Sequence, residues 1–277
     1  MKVLSRLVAT GPFRQFVFAM SPASMLFAVT LLFAMPQSSF AGDLTVCPSG
    51  CSYTSPELAV TDVNLVDGDR IDVAAGTYVL GGTIQVDKGI TIEGQNAVFD
   101  GNGARIMTVT GAGINVELTG ITFVNGQADP GNGGGALWIS GGANVHVWSV
   151  TFNSNQADFG GAIYNSGSTL TADGAIFIGN QATVGNGGAV FTDALGATFL
   201  NYNKIDGNTA SVAGGGVAVE GNDPQNINVR SISQLRDTTV SNNAALNPVQ
   251  TVSNLQSFAS TSCVNGSLGQ TFIATEA

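Results

Sequence analysis

The chain has 277 residues, of which 10% are charged, with 9 Lys+Arg against 19 Asp+Glu, 37 Gly, three Cys and a single His. So few histidines and cysteines exclude a His-rich metal centre, a zinc ribbon and a disulfide-dense miniprotein, and no cofactor is expected. The acidic balance repels nucleic acid and anionic lipid, which argues against both as partners.

At the N-terminus, Lys2, Arg6 and Arg14 precede an apolar run from Met25 to Met35, which Pro36 breaks. Ser39-Phe40-Ala41 then presents small residues at the two positions a signal peptidase reads. This order predicts a secretory signal over residues 1–41. Ser21-Pro22 interrupts the stretch from Phe16 to Met35, which speaks against an anchor, and no later apolar run is long enough to span a bilayer. Losing the three basic residues makes the mature chain three charges more acidic than the formal −10 of the whole. Export also means an oxidising compartment. Cys47 and Cys51, close together in C-P-S-G-C, are therefore expected to close a small disulfide loop. Cys263 is left over, and whether it is buried, reactive or paired with another chain stays open.

Residues 42–66 read as an N-terminal cap. Thr54-Ser55-Pro56-Glu57 supplies an N-cap residue, a proline suited to the first turn and an acidic group to complement the helix dipole. A short amphipathic helix is expected over 56–65, closing the apolar end of whatever follows.

From about residue 67 to 245 the chain repeats. Gly134-Gly135-Ala136-Leu137, Gly160-Gly161-Ala162-Ile163, Gly187-Gly188-Ala189-Val190 and Gly214-Gly215-Gly216-Val217 are one four-residue word, spaced by 26, 27 and 27 residues. A second word falls between them: Phe152-x-x-Asn155, Phe177-x-x-Asn180, Ile205-x-x-Asn208 and Val240-x-x-Asn243. An earlier copy, Phe123-Val124-Asn125-Gly126, has glycine in the asparagine position. Short alternating pieces such as Val145, Val147 and Leu170, Ala172 read as strands bounded by Gly, Asn and Asp. Repeats of this length, with one to three strands per turn, build a coiled parallel β-solenoid. In such a coil Phe152 and Phe177 stack inside as an apolar ladder. Asn155, Asn180, Asn208 and Asn243 are expected at the sharp turn, in the left-handed region, with each amide bonded to the Asn one coil away. The glycine pair suits a corner needing positive φ or close approach between coils.

These words carry a resemblance. The succession G-D-R-I-D-V-A-A-G-T-Y (68–78), G-I-T-I-E-G (89–94) and F-D-G-N-G (99–103) resembles the opening of bacterial right-handed parallel β-helix proteins of the pectin lyase-like superfamily. The G-G-A-[ILV] and F-x-x-N words resemble the repeats of the chlamydial polymorphic outer membrane proteins. The resemblance covers about residues 50–245 and implies an all-β, right-handed, single-stranded parallel β-helix. It implies no single activity, because the superfamily includes lyases, hydrolases and adhesins. Polymorphic proteins usually end in an autotransporter β-barrel, for which residues 246–277 show no counterpart. That tail is expected to be an irregular last coil, a linker, or the cut edge of a longer protein.

An enzyme would need a constellation of residues. The N-T-D, Asp-Asp, His-Gly and R-I-K words of the superfamily's polygalacturonate hydrolases do not occur, and His146 is followed by Val147. Arg70, Lys88, Arg105, Lys204, Arg230 and Arg236 lie in no lyase word and are expected to be solvated. Asp129 and Asp158 share a repeat position and read either as a carboxylate pair for catalysis or calcium, or as an exposed loop ladder. Glu117 and His146 share a register and read as a surface pair. Trp148 faces outward, as a sugar-stacking platform or simply an exposed ring. The expectation is an exported surface or extracellular structural or binding module of adhesin-like type, with carbohydrate or a cell-surface protein as partner. Its working surface would be the outer faces and the loops at 127–133, 156–159, 181–186 and 209–213. The alternative is a polysaccharide lyase or glycoside hydrolase of the pectin lyase fold.

Overall fold

The computed structural model describes residues 43–193, 195–219 and 232–245, together with the strands Leu255–Phe258 and Val264–Asn265. The reading of residues 1–41 as a signal, and Cys263, lie outside them.

Every strand pair among the described residues is parallel, and the stacked coils form three sheets of 15, four and six strands, the four-stranded one drawn only from Gln156–Ala157, Gln181–Ala182, Thr209–Ala210 and Ala244–Ala245. The fold is a parallel β-solenoid. One coil shows how the sequence makes it. Asn144–Trp148 runs in the long sheet, Ser149 turns, Thr151–Asn153 follows, Ser154 turns, Gln156–Ala157 joins the small sheet, and Ile163–Ser166 joins the third. The turns are stacked columns of left-handed residues. Gly120, Ser149, Gly174, Tyr202 and Asp237 form one, with φ of 63°, 51°, 63°, 58° and 47°. Asn125, Ser154, Gly179, Gly207 and Asn242 form the next, with φ of 55°, 56°, 63°, 66° and 52°. A left-handed residue reverses the local bend without a helix, so a column of them lets every coil turn at the same place.

This second column corrects one expectation. The residue in the left-handed region is the one before each repeat asparagine, not Asn155, Asn180, Asn208 or Asn243 itself. The asparagines point inward and are buried instead. Each Nδ2 donates to the Oδ1 one coil on, at 3.0 Å from Asn155 to Asn180, 2.8 Å from Asn180 to Asn208 and 2.7 Å from Asn208 to Asn243. The same Oδ1 atoms also accept the backbone N–H of the preceding asparagine. At the start of the column Gly126 has no amide to offer, and only its backbone N–H reaches Asn155 Oδ1. A buried amide is tolerated when its donors and acceptors are all met, which this repeat achieves.

Inside the coils the register aligns Tyr78, Phe99, Phe123, Phe152, Phe177, Ile205 and Val240 on seven successive rungs. Phe152 and Phe177 lie face to face, with centroids 4.9 Å apart and planes within 5°. The two glycines of each G-G word divide the labour. The first of the pair takes positive φ, and the second allows close approach: a Cβ on Gly161 would lie 2.3 Å from Gly188 O.

The stack reaches back to Asp43–Val46, in the segment read as a cap, which pairs with Arg70–Val73. Cys47 and Cys51 are disulfide-bonded just beyond it. The helix is shorter than expected, Pro56–Val60, with Ser55 Oγ accepting from Leu58 N. It stops because Asp62 Oδ1 takes the Asn64 N–H at 2.7 Å, a side-chain turn that competes with the helix. At the other end, Leu255–Phe258 pairs with Ile232–Arg236 and Val264–Asn265 with Thr239–Ser241, so strands continue within the segment read as a tail.

Candidate functional site

On the long sheet, alternate residues face in and out. Ile92, Leu118, Val147 and Ala172 form a buried rung. Their neighbours therefore point to solvent: Thr91, Glu117, His146 and Thr171 on one rung, and Glu93, Thr119, Trp148 and Asp173 on the next. Because strands stack about 4.8 Å apart, these side chains form a fixed polar lattice.

A groove of about 590 Å³ opens on this face, bordered by the turns at Asp67–Gly68 and Gly113 and lined by Thr91, Asn115, Glu117, Asn144 and His146. Its walls are held by polar bonds. Asp67 Oδ1 accepts from Gly89 N at 2.7 Å, and Asn144 Nδ2 donates to Asn115 Oδ1 at 3.1 Å. Glu117 and His146 are direct cross-coil neighbours. The imidazole nevertheless turns to the other side, where Nε2 lies 2.7 Å from Asp173 Oδ2. Asn201 Nδ2 holds the second oxygen of Asp173 at 2.9 Å. Trp148, which does not line the groove, is 55% exposed, with its ring edge-on to His146 at 6.1 Å.

Of the cations expected to be solvated, Lys88, Lys204 and Arg236 pair with carboxylates near them in the chain while their side chains stay 37%, 54% and 62% exposed, and Arg70 and Arg105 are held more closely. Arg70 donates to Asp72 and Glu93 at 2.5 and 2.8 Å. The bond to Asp72 raises its pKa, against a smaller opposing effect of desolvation. Arg105 lies over the Trp138 ring, 4.7 Å from the centroid, and donates to Gly133 O and Gly134 O. Burial lowers its pKa, with Asp129 opposing. The physical reason is that its long apolar stem covers the aromatic face while the guanidinium satisfies two corner carbonyls.

Asp129 and Asp158 do not form a free carboxylate pair. Asp158 Oδ2 accepts from Gly131 N at 2.5 Å and Oδ1 from Thr183 Oγ1 at 2.8 Å, so the side chain ties the loops of three coils. Among the described residues no group of three His, Cys, Asp or Glu side chains is placed to hold a metal ion.

A second aromatic column escaped the sequence reading. Trp138 stacks on Tyr164 at 6.5 Å and Tyr164 on Phe191 at 5.6 Å. Its signal was available, since each ring directly follows a G-G-A-[ILV] word.

The segment from Ser149 to Ser166 contains both turns, Phe152, Asn155 and the Gly160-Gly161 pair. It is here that the chain is recognisable. Residues 149–166 match the Chlamydia polymorphic membrane protein (Chlamydia_PMP) repeat. The matched Chlamydia_PMP repeat thus holds one rung of the phenylalanine ladder, one of the asparagine ladder and one glycine corner. The coil after it, with Phe177, Asn180 and Gly187-Gly188, pairs with it in register in all three sheets. No curated protein and no solved structure matches the chain. No helix among the described residues is long and apolar enough to cross a membrane.

Proposed function

We propose that this protein is an exported bacterial protein of the cell surface or extracellular space, acting as a binding, adhesin-like module through the outer face of its long sheet. The observation that carries the reading is the open groove, where hydroxyl, amide and carboxylate groups sit at constant coil spacing, and whose lining residue His146 meets the exposed ring of Trp148 edge-on. Such a surface suits a carbohydrate, whose hydroxyls take the polar rungs and whose apolar ring face packs on an aromatic. The rungs are strands of a continuous sheet, so the lattice is preorganised and binding orders little of the protein. The match to a membrane-protein repeat and the Cys47–Cys51 disulfide support a surface or extracellular location.

The test has two parts. Protease treatment of intact cells should remove the protein, and purified protein should retain a subset of an immobilised glycan panel, with at least tenfold weaker retention after Trp148→Ala. Shielding from protease would overturn the location. Retention of no glycan, or retention unchanged in the variant, would overturn the site. The adjacency of Glu117 and His146 favours one alternative, a polysaccharide lyase or hydrolase, which would instead release soluble oligosaccharides from a retained glycan.

A further inference from the structure

Trp148 shares its rung with Thr119 and Asp173, both short side chains, so the face of the indole stands clear of the sheet. Carboxylates flank it from the two neighbouring coils. Asp173 already bonds His146 and Asn201. Glu117 is exposed, and no described residue gives its carboxylate a hydrogen bond or ion pair. An open indole face attracts cations through its quadrupole, and a nearby unpaired carboxylate adds to the attraction. The cation best suited is one that is weakly hydrated, since little solvation is lost when it meets the ring.

We propose that Trp148 and Glu117 form a site for a soluble methylated ammonium compound of the choline type. Trp148 supplies the ring face and Glu117 the counter-charge. His146 lies between Glu117 on one neighbouring strand and Asp173 on the other, with Asp67 across the groove. The site shares Trp148 with the carbohydrate reading, but the two fail separately: absence of glycan retention by the parent protein leaves choline binding intact, and failure to bind ammonium leaves the glycan reading intact.

The experiment is a fluorescence titration of the purified protein with choline, using Trp138→Phe so that Trp148 alone reports. Choline should saturate the signal at pH 7.5, while its uncharged isostere 3,3-dimethylbutan-1-ol should be at least tenfold weaker. Glu117→Gln should weaken choline binding about three- to tenfold. Phosphatidylcholine vesicles should not sediment the protein, because the carboxylates that draw the ammonium repel the adjoining phosphate. An equal response to choline and its isostere, or none, would overturn the site. Vesicle binding abolished by Trp148→Ala would overturn the soluble ligand.

Discussion

Asn180 donates from Nδ2 to Asn208 Oδ1 at 2.8 Å and to Phe152 O at 3.0 Å, while its own Oδ1 accepts both the backbone N–H and the Nδ2 of Asn155. One side chain thus couples three coils, and none of its polar atoms is left unmet. Removing it strands donors rather than merely losing bonds. Asn180→Ala should destabilise the protein by about 2–4 kcal/mol, because two buried donors of Asn155 lose their acceptor. The urea midpoint measures this, and a shift below about 0.5 kcal/mol would show that the column carries no weight.

The phenylalanine ladder makes a different kind of prediction. Phe177 is fully buried and stacked on Phe152. Phe177→Ala should cost about 3–5 kcal/mol, the transfer term plus a cavity that rigid neighbouring strands cannot close. Phe177→Leu, which restores most of the volume, should recover more than half of that loss in the same unfolding assay.

Glycines in this fold separate by cause. A Cβ on Gly188 would stand 2.0 Å from Gly215 O and 2.5 Å from Thr209 O, both backbone atoms that sheet pairing holds in place. Gly207 has positive φ of 66° and nothing within 4 Å of an added Cβ. Gly207→Ala should therefore cost about 1–2 kcal/mol, the strain of a left-handed alanine. Gly188→Ala should prevent the folded state from accumulating at all, as judged by circular dichroism of the purified fraction. Equal losses at the two positions would refute the distinction.

Asp206 ties its turn to the next coil by accepting from Asn242 Nδ2 at 2.8 Å and Ser241 Oγ at 2.9 Å. These bonds to Asn242 and then Ser241 hold its carboxyl below the ordinary value of 3.8, against partial desolvation. A depressed folded value means that the stabilisation is whole above 3.8 and is withdrawn as pH falls through the folded value. Asp206→Asn should thus be less stable than the parent at pH 6, and the gap should narrow towards pH 2. A gap that widens on acidification would reverse the sign of the argument.

Much of the solenoid is legible as spacing. Words recurring at 26 or 27 residues can satisfy their inward apolar positions only by stacking like on like, so coil length and parallel pairing follow from the repeat. Strand parity likewise places Val147 inside and Trp148 outside, since successive side chains alternate. Parity says nothing of which neighbour a polar side chain chooses. His146 has a carboxylate on the strand to either side and takes Asp173 rather than Glu117.

The same division runs through the turns and the charges. An asparagine after a left-handed residue and an asparagine in that conformation look alike in a linear word, and only the closed coil shows the amide column running inward. Arg105 reads as a solvated cation until the coil carrying Trp138 is laid beside it, 33 residues later. Local chemistry and period were enough for the architecture, because every coil repeats one solution to burial. The groove, the free carboxylate of Glu117 and the engaged arginine arise where neighbouring coils differ. Those differences acquire partners only when residues distant in the chain are brought about 4.8 Å apart.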